Sequence, residues 1–148
     1  MNVLVTGATG YAGYHTAIAL RQAGHSVYGL VHDADKPRAK TLEAQEVRVV
    51  AGDIREPKTY EHLIEQSDAI IHAMMDFESP METDRKLFST LREVSDRSRR
   101  NRVFVYTTGC SIYGYFPQSS QAAWMGAQPY WCHRRSRYLL RGLETRER

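Results

Sequence analysis

The first apolar run, Val3-Leu4-Val5, stops at Thr6-Gly7 and predicts a buried strand. Residues 12–23 then carry Tyr14, Ala17, Ile18 and Leu20 at helical spacing, and Gly24 supplies a stop just past the helix. Val27 to Val31 predicts a second strand, and residues 36–45 a short helix with Asp35 as its N-cap. Val47 to Val50 predicts a third strand, ending at Ala51-Gly52-Asp53. Pro57 opens the next helix, which carries Tyr60, Leu63 and Ile64 on one side. Ala69-Ile70-Ile71 predicts a fourth strand within Asp68 to His72. Ser79-Pro80-Met81-Glu82 has the form of a helix start. Ser79 caps, Pro80 takes the first helical position, and Glu82 completes a capping box. Leu87, Phe88, Leu91 and Val94 follow at helical spacing. Val103-Phe104-Val105-Tyr106 predicts a fifth strand, ending in Thr107-Thr108-Gly109.

Strands that alternate with helices five times specify an α/β fold with a parallel sheet covered on both faces. The strands are continuous apolar runs, as two-sided burial requires. The expected strand order is 3-2-1-4-5. The repeat stops after Gly114, so residues 1–114 form the expected domain and residues 115–148 an atypical tail. The tail holds both tryptophans, one of the two cysteines, and no Lys or Asp. It carries only a weak amphipathic stretch around Tyr138, Leu139, Leu140 and Leu143. Two readings of it stay open: out-of-frame or truncated sequence joined to a genuine domain, or a divergent terminal helix. Translating the gene in all three frames separates them.

Charge changes the picture little. Residues 1–96 hold 10 Lys+Arg against 15 Asp+Glu, a net −5, while residues 97–148 hold 10 Arg against 2 Glu, a net +8. Arg97, Arg99, Arg100 and Arg102 close a helix and enter a strand, which suits the negative end of a helix dipole better than a nucleic-acid groove. No nucleic-acid partner is expected. No apolar run reaches membrane-span length and no leader precedes Val3, so no membrane partner is expected either. Cys110 and Cys132 make no disulfide framework, and the six His residues form no metal pair. The expected setting is reducing and cytoplasmic.

The chemistry lies in Thr6-Gly7-Ala8-Thr9-Gly10-Tyr11-Ala12-Gly13, a T-G-x-x-G-x-x-G string between a strand and a helix. Gly7 permits the tight turn, Gly10 the approach of a pyrophosphate, and Gly13 close packing of the helix on the strand. The helix N-terminus offers free N–H groups and the positive dipole end to the anion. Thr9, Tyr11 and Ala12 complete the loop. No G-K-[ST] follows, which excludes a P-loop. The expected ligand is a dinucleotide, and the architecture a Rossmann-type doubly wound sheet that ends after about five strands.

Four separated motifs in residues 1–114 resemble the NAD-dependent epimerase/dehydratase family, the extended short-chain dehydrogenases/reductases. They are the glycine loop, Gly52-Asp53-Ile54 after strand three, Ile70-Ile71-His72-Ala73 after strand four, and Tyr106-Thr107-Thr108-Gly109-Cys110-Ser111-Ile112-Tyr113-Gly114 after strand five. The resemblance implies that Asp53, with Ile54, receives the adenine amino group. It also implies that His72, Ala73 and Thr107 lie beside the cofactor, and that the substrate is a small molecule such as a sugar nucleotide. A full member continues to further strands and a substrate lobe. Without them one sheet edge is exposed, which predicts marginal stability, a homodimer or aggregation.

The end of strand two selects between NAD and NADP. Val31 stands where NAD-specific members often carry Asp, and His32 where NADP-using relatives often carry Arg. Asp33 can reach a ribose, while Lys36 and Arg38 can answer a phosphate. The balance leans to NADP over NAD.

Hydride chemistry in this family uses Tyr-x-x-x-Lys, in which the Lys lowers the Tyr pKa. None of the nine Tyr here has Lys four residues on; Tyr130 to Arg134 is the nearest imitation. The family's catalytic hydroxyl position falls on Gly109, which leaves Thr108 and Ser111 as candidates. A dinucleotide-binding protein with vestigial or absent catalysis is the expected function. A non-catalytic redox-sensing module is the alternative.

Overall fold

The computed structural model describes residues 1–108, and Met1–Thr107 forms one compact unit. The expected boundary near residue 114 and the tail beyond it lie outside the described residues. The elements run β1 (Asn2–Thr6), α1 (Tyr11–Gln22), β2 (Ser26–Val31), α2 (Pro37–Ala44) and β3 (Arg48–Ala51). They continue with a 3-10 turn (Pro57–Thr59), α3 (Glu61–Gln66), β4 (Ala69–His72), α4 (Pro80–Ser98) and β5 (Val103–Tyr106). All five expected strands form, within one or two residues of their expected ends.

The sheet is parallel throughout, in the order β3-β2-β1-β4-β5. This is the expected order, and it makes the fold a Rossmann-type doubly wound sheet. The chain starts in the middle, winds outward to β3, then crosses to β4 and winds the other way. Neighbouring loops therefore diverge between β1 and β4, and a crevice opens at the carboxyl ends of the strands.

Period-2 alternation divides the sheet's side chains between two cores. Leu4, Leu30 and Ile70 face α3 and α4, where they meet Leu63, Ile64, Leu87, Leu91 and Val94. Val3, Val5, Val27 and Val31 face α1 and α2, where they meet Ala17 and Leu42. At the edge of the described sheet, Val103 and Val105 are about half exposed (55% and 48%). They alternate with Phe104, whose ring meets Phe88 of α4 edge to face.

Three expected details differ. Lys36, not Asp35, is the N-cap of α2, and it makes no side-chain cap bond. The carboxylate at work there is Asp33, whose Oδ1 accepts from the Asp35 N–H at 2.9 Å. Pro57 opens a 3-10 turn, and α3 begins four residues later at Glu61. The capping box at Ser79 does not form. Ser79 is the N-cap without a side-chain cap bond, and Glu82 pairs with Lys86 at 3.0 Å instead.

The basic cluster also finds partners other than its own helix end. Arg97 pairs with Glu61 at 2.8 Å, and Arg100 with Asp68 at 2.6 Å. Arg102 donates to the carbonyls of Ile64, Glu65 and Ser67 at the carboxyl end of α3 and to the Ser98 hydroxyl in the last turn of α4 at 2.9 Å, so it bridges the two helix ends. Arg99 closes α4 in the left-handed region (φ 50°). Arg97, Arg100 and Arg102 thus tie the end of α4 to α3 and to the start of β4.

Candidate functional site

The glycine loop bridges β1 and α1. Gly7 has φ +66°, and a Cβ there would lie 2.6 Å from Met74 Cβ and 2.9 Å from the Ala73 carbonyl oxygen. Only glycine accommodates both demands. A Cβ on Gly13 would lie 2.2 Å from the Gly7 carbonyl oxygen. The first turn of α1 therefore rests directly on the end of β1. The first i to i−4 bond of the helix runs from Tyr14 N to Gly10 O at 3.0 Å. The N–H groups of Tyr11, Ala12 and Gly13 precede it and have no partner among the described residues, the arrangement that suits an anion. Gly10 is exposed, and Gly10 N donates to Gly7 O at 2.9 Å, which closes the turn.

A cleft of about 200 Å³ opens beside this loop, lined by Leu30, His32, Gly52, Asp53, Ile54, Arg55 and Met74. Its strand-end residues come from three different βα connections. His32 follows β2, Asp53 to Arg55 follow β3, and Met74 follows β4. Asp53 is held at both ends. Its N–H donates to Thr59 Oγ1 at 3.1 Å, and its Oδ1 accepts from Arg55 N–H at 2.8 Å. Asp53 Oδ2 accepts no hydrogen bond among the described residues. Arg38 reaches back from α2 to the loop, donating to the Thr9 carbonyl at 3.1 Å with its guanidinium 5.6 Å from the Tyr14 ring centre.

A second group of polar side chains lies beneath the ends of β1, β4 and β5. Thr6 Oγ1 and His72 Nδ1 are 2.7 Å apart and fully buried. The His72 ring stacks on Tyr106, with centroids 5.4 Å apart. The Tyr106 hydroxyl donates to Asp84 Oδ2 of α4 at 2.5 Å. Burial, followed by this contact with the carboxylate, pushes the Tyr106 phenol up to about 12. His72 Nε2 lies 3.5 Å from Asp84 Oδ1 and has no hydrogen bond of its own. Burial of the imidazole outweighs the carboxylate and lowers the His72 pKa. An Nε2–H tautomer facing Asp84 fits this arrangement, with Nδ1 accepting from the Thr6 hydroxyl.

Imidazolium is disfavoured in the fold, while the unfolded chain takes up a proton near 6.5. Stability is then full above that pH and falls as the pH drops below it. A His72→Gln variant is expected to lose less of its thermal midpoint between pH 7.5 and 5.5 than the natural chain does. Parallel profiles would contradict it.

Most of the sequence-derived residues lie at the carboxyl ends of the strands. Gly7, Thr9, Gly10, Tyr11, Ala12 and Gly13 form the loop; His32, Asp53 and Ile54 line the cleft. Ala73 underlies the loop. Thr107 follows β5, where its N–H donates to the His72 carbonyl at 3.0 Å and its hydroxyl donates to the same oxygen. His72 departs from its expected use. Its ring is 1% exposed and turned into the interior, so its side chain does not line the cleft. Its position two residues after Ile70 places it on the α4 face of the sheet. Thr108 is exposed just beyond β5, and Ser111 lies outside the described residues. Arg55 and Met74 were missed, although each directly follows a motif. Among the described residues no cluster of His, Cys, Asp or Glu can hold a metal, and no helix is long and apolar enough to cross a membrane.

The family model described as the NAD dependent epimerase/dehydratase family matches residues 3–141. The chain is 30% identical over 135 residues to a UDP-glucose 4-epimerase of Klebsiella pneumoniae, covering 80% of this chain and 96% of that one. It is 33% identical over 133 residues to UDP-glucuronate 4-epimerase 5 of Arabidopsis thaliana, covering 77% of this chain and 30% of that one. A UDP-glucose 4-epimerase of Neisseria meningitidis serogroup A is 36% identical over 78 residues, 48% of this chain and 23% of that one. The chain thus spans less than a third of the length of these last two relatives. Among solved structures, the UDP-glucose-4-epimerase of Stenotrophomonas maltophila with bound NAD superposes with a TM-score of 0.64 at 22% identity, covering 80% of this chain and 40% of that one. The negative transcriptional regulator NmrA in complex with NADP superposes at 0.60 and 20% identity, covering 78% of this chain and 36% of that one. By the match along nearly its whole length, the chain belongs to the NAD-dependent epimerase/dehydratase family.

Proposed function

We propose that the carboxyl edge of this sheet binds a nicotinamide dinucleotide, within a protein that acts on a sugar nucleotide. The observation that carries the reading is the glycine cradle. Gly7 and Gly13 leave no room for a Cβ, Gly10 stands open at the helix mouth, and three free N–H groups follow. A diphosphate satisfies those donors and the helix dipole together. The cleft beside it suits the adenosine half, with Ile54 and Met74 as apolar walls and Asp53 as acceptor for the adenine amino group. The nicotinamide half then extends over the ends of β4 and β5, toward Ala73 and Thr107. When bound, the cofactor supplies hydride acceptance or donation. Thr108 and Ser111 are the hydroxyls proposed to serve a substrate there.

NADP is the preferred form. Arg38 holds a guanidinium against the Thr9 carbonyl beside the loop, and Val31 replaces the acidic residue that would take a ribose hydroxyl. Calorimetric titration with NAD and NADP tests both statements. NADP is expected to bind about tenfold tighter, and Arg38→Ala to abolish that difference. No binding of either at millimolar concentration would remove the reading.

A second reading has its own support. No Tyr-x-x-x-Lys occurs in the chain, and NmrA, a regulator, shares the fold. In that reading the site senses the nicotinamide pool without chemistry. An absorbance assay for NAD(P)H oxidation with carbonyl substrates separates the two.

A further inference from the structure

Among the described residues Arg55 and Asp76 form the most heavily bonded ion pair, and nothing in the glycine loop accounts for it. Arg55 Nε donates to Asp76 Oδ2 at 2.9 Å, and Nη2 to Oδ1 at 2.7 Å. This is the bidentate fork that only arginine makes. Asp76 also accepts from Thr83 Oγ1 at 2.7 Å and from the Glu78 N–H at 3.0 Å. The Asp76 side chain is 3% exposed, and four donors surround its carboxylate. The hydrogen bonds from Arg55, then that from Thr83, hold its carboxyl well below the usual carboxylate range.

The two partners lie 21 residues apart, on different connections. Arg55 lines the cleft and directly follows Asp53 and Ile54. Its own N–H grips Asp53 Oδ1. Fixing the Arg55 side chain therefore restrains the backbone that holds the Asp53 carboxylate by Oδ1, while Oδ2 accepts no hydrogen bond among the described residues. Asp76 belongs to the β4–α4 connection, which its bonds to Glu78 and Thr83 tie to the start of α4.

We propose that the Asp76–Arg55 latch is the positioning device that aims Asp53 at the amino group of adenine, so that base selectivity of the cleft depends on a residue outside it. The inference rests on the nucleotide-binding reading above and extends it to what discriminates the base. A site built around an acceptor rejects an analogue that presents an oxygen in place of the amino group.

The test compares ADP with inosine diphosphate by calorimetry on the full chain and on Arg55→Lys, Asp76→Asn and the double variant. The natural chain is expected to prefer ADP by about tenfold or more. Arg55→Lys keeps the charge and loses the fork, and is expected to bring the ratio close to one. Asp76→Asn is expected to do the same. The double variant should lose no more than either single change, as residues in one network behave. A structural lesion that merely loosened the protein would weaken both ligands and keep their ratio. Should Asp76→Asn fail to fold, Arg55→Lys alone decides, since its side chain is 44% exposed and its charge is retained. An unchanged ratio in Arg55→Lys overturns the proposal, and so does a natural chain that binds both ligands equally, though it would still bind nucleotides. Binding of neither ligand defeats the nucleotide reading itself.

Discussion

Replacing Gly13 with alanine is expected to abolish dinucleotide binding and to lower stability by about 3 kcal/mol, the upper end of what overpacking costs. The added Cβ would meet the Gly7 carbonyl oxygen at 2.2 Å, with the Gly7 carbonyl carbon at 2.8 Å and Ala8 Cα at 3.1 Å. These are backbone atoms, and no rotamer change relieves the contact. Either α1 lifts from the end of β1 or the turn at Gly7 opens, and both move the free N–H groups. Gly10→Ala supplies the contrast. Its Cβ meets only the Gly7 oxygen, at 3.1 Å, and Gly10 has an ordinary φ of −71°. That variant is expected to melt within a few degrees of the natural chain while binding far more weakly, because the methyl enters the anion's space. Thermal denaturation and NAD titration on both variants check the pair. A Gly13→Ala protein of natural stability would show that α1 does not rest on β1 as described.

Much of this was legible in the chain. Val3-Leu4-Val5 and Ala69-Ile70-Ile71 are too apolar for a one-sided sheet, and alternation with helices orders the strands. The glycine spacing located the loop because its constraint is local, set by φ at Gly7 and by contact between residues six apart. What escaped depends on partners distant in sequence. Nothing near Arg55 announces Asp76. Ser79 and Glu82 match a capping box, yet Lys86 engages Glu82 on the helix surface and Asp76 takes the hydroxyl of Thr83. His72 was expected beside the cofactor, but the alternation that puts it on Ile70's face turns its ring inward. The sequence pattern placed the residue at the end of β4 without revealing which way it points.

The second large effect is expected from Ile70→Ala. Ile70 is fully buried at the centre of the α3–α4 core and pairs with Leu4 on β1 and Phe104 on β5. Both neighbouring strands are fixed by the ladder, so the site cannot collapse onto the space left. Truncations of this kind cost roughly 2–5 kcal/mol. In a unit this small, that lowers the thermal midpoint by roughly 10–20 °C. The loss is a large share of the roughly 5–15 kcal/mol that holds a domain folded. Binding measured well below the new midpoint is expected to persist, because the glycine loop and the Asp53 wall lie on other elements. A midpoint shift of less than a few degrees would mean that the core behind β4 is looser than its burial implies.

Thr83 and Asp84 stand next to each other on α4. The first holds Asp76, and through it the Arg55 wall. The second holds Tyr106 and faces His72. Two adjacent positions thus serve two different sides of the crevice, which requires one rotational setting of the helix. Each residue added or removed upstream within α4 turns everything after it by about 100°. Lineages descending from this chain can therefore exchange side chains freely along the outer face of α4, at Glu82, Lys86 or Arg92, while gaps in its first turn are purged. In a library of single-codon deletions, the opening of this helix should be as barren as the glycine string itself.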